Sequence, residues 1–389
     1  FLVSRPVAYP ISMASRATRG YWVMDLETKE IVFLKDTWRT NAEDMEVEGD
    51  ILLSMKGVPN VPTLVCHGDV GDANTYITQT DRYQTAEWNA HRPAIQRLTS
   101  QVHYRQVIKE AGYTLESLAG SEELFRAIAD VYNGMEFAYE LHSRMHRDVS
   151  FGNIIFFANQ SDRKYGQRQG ILIDWELSCV IEKPKARNHW ITGTWAFMSI
   201  NTLSDVPKPH ALVHDVESLV YVVFYCAIFY LQWDYNVDTH ADILQNFFDH
   251  FEQISKEDDS KIVVGGSYKV SNLFNTGRYF KKPKGLPLVI QKWLSRSVQR
   301  IYSWYFSAPP DRTPEAQKEC ARPLFDLTDN IFKDLSNTDR EVHPRPNYKG
   351  PLLMAVPATP SSTPPSSNLN VAVRRSPRTQ PNANASQGS

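Results

Sequence analysis

The sequence predicts an α+β fold in two lobes, a small strand-rich lobe first and a larger, mostly helical lobe after it. Three observations predict it. Short runs rich in aromatic and β-branched residues, Tyr21-Trp22-Val23-Met24 and Ile31-Val32-Phe33-Leu34, come early in the chain and suit pleated strands. From Ser121 the pattern changes. Leu124, Phe125, Ile128, Val131, Tyr132, Met135 and Tyr139 recur at three- and four-residue intervals, the spacing of one helix face. Further on, Leu219 to Leu231 is an uncharged apolar run. It is shorter than the roughly 20 residues a bilayer span needs, and predicts a helix buried in the core.

The elements follow in order. The polar stretch Asp25 to Glu30 joins the first two strands as a hairpin. Thr40 to Met55 is acidic first and apolar at Ile51-Leu52-Leu53, which predicts a helix with its acids at the positive end of the dipole. Val58-Pro59-Asn60-Val61-Pro62 is a turn, and Thr63 to Cys66 a further strand. Residues 69–100 are polar and irregular and read as an insertion. Tyr104 to Lys109 resumes as a strand, with Glu110-Ala111-Gly112 as a connector. Ser121 is placed to cap the long helix, with Glu122 and Glu123 in its first turn. Asp234 to Gly285 carries no clear period, and its charge cluster Lys256 to Lys261 reads as a solvated loop. Leu286 to Phe306 is helical again. After His343 the chain is dominated by Pro, Ser, Thr and Asn, a composition that predicts disorder. The expected division is 1–112 for the first lobe and its connector, 113–340 for the second, and 341–389 for the tail.

The 389 residues are 42% hydrophobic and 22% charged, ordinary for a chain with a sizeable core. A formal net charge of −2 argues against nucleic acid as a partner, and no membrane partner is expected. Cys66, Cys179, Cys226 and Cys320 form no C-x-x-C pair. They suit neither a disulfide scaffold nor a zinc site, and predict a reducing, intracellular compartment, cytoplasmic or nuclear. The chain opens at Phe1 and is expected to begin inside a longer protein. No pattern sets an oligomeric state.

Three short motifs carry chemistry. His146-Arg147-Asp148-Val149-Ser150-Phe151-Gly152-Asn153 follows the long helix and precedes the apolar Ile154-Ile155-Phe156-Phe157. It matches H-R-D-x-x-x-x-N, a catalytic-loop signature of phosphoryl transfer from ATP. That reaction needs an acceptor hydroxyl oriented in line, and cations on the phosphates. An Asp can orient the hydroxyl and take its proton, and a later Asn can turn back to hold a metal. Ile171-Leu172-Ile173-Asp174-Trp175-Glu176 is an apolar strand ending in a carboxylate, suited to holding Mg²⁺ at a fixed place. Val32-Phe33-Leu34-Lys35 ends in a Lys and matches V-A-I-K, so Lys35 would bridge the α- and β-phosphates. Its expected partner is Glu48, anchored by Ile51 and Leu52, with Glu46 as the alternative. Downstream, Gly193 to Ser199 resembles the peptide-docking end of an activation segment. Asp215, at the head of the apolar helix, is expected to pin the catalytic loop through its backbone.

With these elements in this order, the chain resembles the fungal-type protein kinase-like family, a divergent branch of the eukaryotic protein kinase fold. Ser4-Arg5-Pro6, Ala17 to Trp22, Leu34 to Arg39, Gly57 to Pro62 and His146 to Ile154 carry the resemblance, which covers about residues 1 to 335. It implies a bilobal kinase fold, ATP and Mg²⁺ in the cleft, and a protein substrate phosphorylated on Ser or Thr. It implies Asp148 as catalytic base beside Arg147, Asn153 and Asp174 as metal ligands, and Lys35 as the phosphate-binding Lys paired with Glu48. Val107, Ile108, Lys109 and Glu110 would lie in the hinge facing the adenine, read through backbone amides and carbonyls.

The sequence also departs from the family's wider pattern. Ser12 to Gly20 stands where a glycine-rich loop is expected and keeps only Gly20; Arg16 or Arg19 would compensate with charge. Asp174-Trp175-Glu176 replaces D-F-G, and Glu176 is expected to stiffen the segment. Ser199-Ile200-Asn201 replaces A-P-E, so the usual buried Glu–Arg pair is lost. No Ser or Thr lies between Cys179 and Ile191, which predicts activity without activation-loop phosphorylation, and Thr194 is expected beside Asp148. Two other readings stay open: a pseudokinase scaffold, and a small-molecule phosphotransferase of the aminoglycoside or choline kinase kind.

Overall fold

A computed structural model describes residues 1–10, 16–42, 45–71, 76–86, 99–158, 168–181, 193–204, 209–232, 237–255, 261–275, 277–281, 285–306 and 313. All of them belong to one unit, Phe1–Val356. The expected charge loop at 256–260 and the expected tail lie outside the described residues, as do 12–15 and 182–192.

The N-terminal region is a five-stranded antiparallel sheet, in the order β1-β2-β3-β5-β4. Its strands are β1 (Leu2–Ala8), β2 (Arg19–Met24), β3 (Ile31–Thr40), β4 (Leu64–Asp69) and β5 (Gln101–Ile108). The β2–β3 turn is made by Asp25, whose Oδ1 accepts the Glu27 amide at 2.8 Å, and by Lys29 at φ 61°. Those amide bonds hold the Asp25 carboxyl below its ordinary value. Strand β3 does not end at Lys35 as expected but runs on to Thr40, pairing Lys35 with Gly20 on one side and Gln106 on the other. Alternation along β3 puts Phe33, Lys35 and Thr37 on one face.

The acidic stretch after β3 forms a shorter helix than expected, α1 (Glu48–Ser54). Gly49 lets it lie against the sheet: a Cβ there would meet the His67 ring at 2.2 Å and the Tyr104 hydroxyl at 2.5 Å. The described part of the expected insertion holds a 3₁₀ turn at Thr80–Tyr83 and an Ile77–Val102 bridge to β5.

Helices dominate the rest. After β6 (Tyr113–Thr114), helix α2 (Ser121–His142) turns its apolar stripe inward. Gly120, not Ser121, is its N-cap residue, and it ends where Ser143 turns left-handed at φ 50°. The short strands β7 (Arg144–Met145), β8 (Ile154–Phe157), β9 (Gln169–Leu172) and β10 (Cys179–Val180) then form two small sheets, β6-β8-β9 and β10-β7. Helix α3 (Leu212–Phe229) is long and apolar enough to cross a membrane, yet every residue of it is buried inside the fold. Its aromatic side is filled by Phe247, Phe248 and Phe280, contacts of the size that dominate core energetics.

The segment without a readable period is ordered where it is described. It contains α4 (Val237–Asp242), a π-helical turn Ile243–Phe248, the hairpin β11 (Phe251–Ser255) and β12 (Lys261–Gly265), α5 (Ser267–Phe274) and α6 (Arg278–Lys281). The last helix, α7 (Leu288–Phe306), packs Val289, Ile290, Trp293, Leu294 and Val298 into the core. The fold is thus α+β, with the strand-rich region first and the helices later.

Candidate active site

Strand β3 delivers Lys35, helix α1 delivers Glu48, and the chain leaving β9 delivers Asp174. The Lys35 Nζ donates to Glu48 Oε2 at 2.7 Å and to Asp174 Oδ1 at 2.8 Å. Glu48 uses its other oxygen to accept the Trp175 amide at 3.1 Å, so the pair also anchors the segment that carries Asp174. Glu46, the alternative partner for Lys35, pairs with Arg144 instead, at 3.0 and 3.1 Å. Burial opposes the Lys35 charge, but Asp174 and Glu48 outweigh it and hold the ammonium above its ordinary range. Burial likewise opposes the Asp174 carboxylate, yet the Lys35 and Arg16 charges hold it well below the usual range. Asp174 sits in left-handed backbone, φ 64° and ψ 63°, a conformation Asp tolerates better than most residues.

Asp148 lies on the loop between β7 and β8. Its Oδ1 accepts the Thr194 amide at 2.7 Å and the Thr194 hydroxyl at 3.0 Å, and its Oδ2 accepts Asn153 Nδ2 at 3.0 Å. Burial first, and the Asp174 charge second, push its carboxyl up to about 6. Asn153 also donates Nδ2 to the Asp148 carbonyl at 2.9 Å, so its Oδ1 takes no part in either bond. The Ile173 amide donates to the Asn153 carbonyl at 2.9 Å, so a single backbone bond sets Asn153 beside the residue preceding Asp174.

The loop is pinned from beneath. Asp215 on α3 accepts the His146 amide at 2.8 Å and the Arg147 amide at 3.0 Å, and His210 Nε2 lies 2.7 Å from its Oδ1. His146 is a core residue: Nδ1 accepts the Asp148 amide at 3.2 Å, Nε2 bonds the Ile173 carbonyl at 3.0 Å, and the ring stands edge-on to Trp175. Burial keeps its pKa low and the ring neutral. Arg147 is half-buried at φ 71°. The segment 182–192 that follows β10 lies outside the described residues.

Val107 and Ile108 close β5 as buried residues, Lys109 is exposed, and Glu110 turns inward to accept the Thr63 amide at 2.8 Å. Burial raises the Glu110 carboxyl. The Lys109 amide already donates to Thr63 O at 2.9 Å, and Gly112 to Glu110 O at 3.1 Å.

Two departures from the family's wider pattern meet each other. Arg16, from the β1–β2 connection, bonds buried Glu176 and lies 3.9 Å from Asp174. Glu48, Asp174 and Glu176 hold carboxylate oxygens within 4.8 Å of one another, with Lys35 and Arg16 between them. Three anions against two cations leave a net −1 in a partly buried cluster of hard oxygen donors, chemistry that fits Mg²⁺.

The sequence reading missed Lys269 and Glu217. Lys269 on α5 is 1% exposed and donates to the carbonyls of Ala196 and Met198 at 2.9 and 2.8 Å. Glu217 on α3 accepts the Ile200 amide at 2.9 Å and the hydroxyls of Tyr221 and Tyr305. Neither residue lies in a motif. The run Lys269-Val270-Ser271-Asn272 looks like an ordinary half-exposed helix.

A family model described as Fungal protein kinase matches residues 1–227. No curated protein matches the chain.

Proposed function

The chain belongs to the fungal protein kinase family, and from that premise we propose that it is an active, ATP- and Mg²⁺-dependent protein kinase acting on Ser or Thr. The sheet region and the helical region would form the two lobes, with the nucleotide between them. The observation that carries this reading is the ion triad of Lys35, Glu48 and Asp174, joined through the Ile173–Asn153 bond to the Asp148 loop.

In this reading the backbone of Val107 to Gly112 faces the adenine. Lys35 and Arg16 lie against phosphate oxygens. Asp174 and Asn153 Oδ1 would hold Mg²⁺, which when bound neutralises charge on the phosphates. Asp148 accepts the proton of the acceptor hydroxyl. With its carboxyl near 6, it is ionised at neutral pH and still basic enough to take that proton. Thr194 and Asn153 fix its orientation. Phosphoryl transfer draws most of its acceleration from such positioning.

A scaffold that binds partners without turnover is favoured by one observation. The Arg16 guanidinium already stands beside Asp174, where a metal would need room. Comparing wild type with Asp148→Asn in an ATP-turnover assay, with dephosphorylated casein as acceptor, decides between the two. We expect a loss of about a hundredfold or more on removing the base. Equal rates for the two proteins, or no Tm shift with millimolar MgATP, would sink the kinase reading. Transfer to small alcohols in preference to casein would redirect it to a small-molecule kinase.

A further inference from the structure

Thr194 bonds Asp148 through both its amide and its hydroxyl, so the chain that follows it leads directly out of the site. That chain, 194–203, lacks the acidic residue expected at Ser199-Ile200-Asn201, yet it is held at several points. Lys269 takes the carbonyls of Ala196 and Met198. Glu217 takes the Ile200 amide. Trp195 Nε1 donates to the His250 carbonyl at 3.2 Å, and the Gly265 amide donates to the Leu203 carbonyl at 2.9 Å. Trp195, Met198 and Leu203 close a small apolar cluster with Val263 of β12. Two of these holds are ionisable side chains taken out of water, where a polar group without partners is expensive. The Lys269 Nζ stands 4.5 Å from the Tyr221 ring centroid, over a face that favours a cation. Tyr221 and Tyr305 both donate to Glu217, which joins α3, α5 and α7 into one polar knot beneath the segment.

We propose that Lys269 and Glu217 are the positioning pair for the acceptor-facing segment 194–203, a displaced substitute for the carboxylate–guanidinium lock this chain lacks. This rests on the kinase reading for the word acceptor, but the clamp itself does not. The Lys holds two carbonyls and the Glu one amide, so both fix main chain rather than side chains. The clamp therefore tolerates any side chain at Ala196, Met198 or Ile200 that packs. The hairpin β11–β12 and helix α5 become part of the acceptor surface through it.

The test is Lys269→Met, which keeps length and apolar stem but removes the donors, beside Glu217→Gln, the milder variant should the first fold poorly. Hydrogen exchange of the full chain is read at amides 195–203 and, as reference, at 121–142. Loss of two buried hydrogen bonds should speed exchange in 195–203 about thirtyfold while 121–142 stays unchanged. With dephosphorylated casein as acceptor, KM should rise about fivefold or more at nearly constant kcat, and the MgATP-induced Tm shift should persist. Unchanged exchange in 195–203, or an equal rise in 121–142, overturns the proposal. An absent MgATP shift in wild type overturns the kinase reading alone, and the exchange data then decide the clamp by themselves.

Discussion

Asp215→Asn is the sharpest test of how the Asp148 loop is held. The buried carboxylate accepts two backbone amides, at 2.8 and 3.0 Å, and pairs with His210 at 2.7 Å. Asparagine offers one carbonyl oxygen and turns an NH₂ toward the other amide. One amide is then left facing a donor, which costs about 1–3 kcal/mol, and the remaining bonds lose charge assistance worth about 1 kcal/mol each. Releasing Arg147 from φ 71° returns about 1 kcal/mol. The net is about 3 kcal/mol, or a fall in Tm of about 4–5 °C for a unit of this length. Adding Arg147→Gly to Asp215→Asn should recover little stability, because the strain has already relaxed. Arg147→Gly alone should gain up to about 1 kcal/mol. The sign with pH is fixed. His210, by charge and hydrogen bond, and the His146 amide hold the Asp215 carboxyl below its usual value in the fold, against burial, so its contribution is full above the unfolded pKa near 4 and disappears as pH falls below that. The Tm gap between wild type and variant should therefore narrow in acid. Scanning fluorimetry from pH 3.5 to 7 measures it. A variant melting within about 2 °C of wild type at neutral pH would refute the claim that this carboxylate holds the loop.

Lys35→Met leaves Glu48 and Asp174 without their shared cation, so one carboxyl should take up a proton. The MgATP-induced Tm shift should vanish, and its survival at wild-type size would remove Lys35 from the nucleotide site. Arg16→Ala removes the guanidinium that stands 3.9 Å from Asp174. Manganese binding without nucleotide, read by electron paramagnetic resonance, should tighten about threefold to tenfold by relief of charge repulsion, and weaker binding would mean Arg16 supports the cation site. Burial brings the Lys269 amine down to about 7. Between pH 7 and 10 the unfolded chain then binds a proton the folded chain lacks, so stability should rise with pH by up to about 1.4 kcal/mol per unit. That slope should be missing in Lys269→Met, and a wild type without it retains an ammonium at the site. Either form of the amine can donate to Ala196 and Met198, so the clamp does not depend on the answer.

Much of this arrangement can be read from local sequence, and what cannot has a physical reason. Lys35, Asp148, Asn153 and Asp174 each sit in a run where neighbours and spacing are constrained, because a strand or tight loop must aim one side chain. Their convergence, with Lys35 Nζ on Asp174 at 2.8 Å, follows from that local aim once the elements pack. Helix α3 was visible because a core helix has no solvent face to hide its apolar residues. The hairpin β11–β12 was not visible: the β11 residues are exposed except for half-buried Ile254, so no alternation marks the strand. Lys269 was invisible for the opposite reason. Burial of a lone Lys is rare, and its partners, the Ala196 and Met198 carbonyls, carry no residue identity. The start of α1 was misjudged because Glu and Asp fill both the extended run before it and its first turn. A dipole argument cannot tell the two apart.

The departures from the kinase pattern are best understood as coupled charge changes. A glycine-rich loop binds phosphate through close main-chain amides, whereas here the same connection sends in Arg16, which pairs with Glu176 at the position of the missing glycine. An added cation and an added anion cancel, so the pocket's net charge is what it would be with neither. The geometry differs, because the pair ties the β1–β2 connection to the Asp174 segment. Glu48 ties the same segment to α1 through the Trp175 amide, and Trp175 itself is fully buried against His146. The Asp174 segment is thus held from three sides, by Arg16, by Glu48 and by His146 against Trp175, with its Asp in the left-handed conformation. On the kinase reading, with no Ser or Thr between Cys179 and Ile191, this predicts activity without a phosphate there: phosphosite mapping of active protein should find none that activity requires, and a stoichiometric, essential phosphate at Thr192 would refute it.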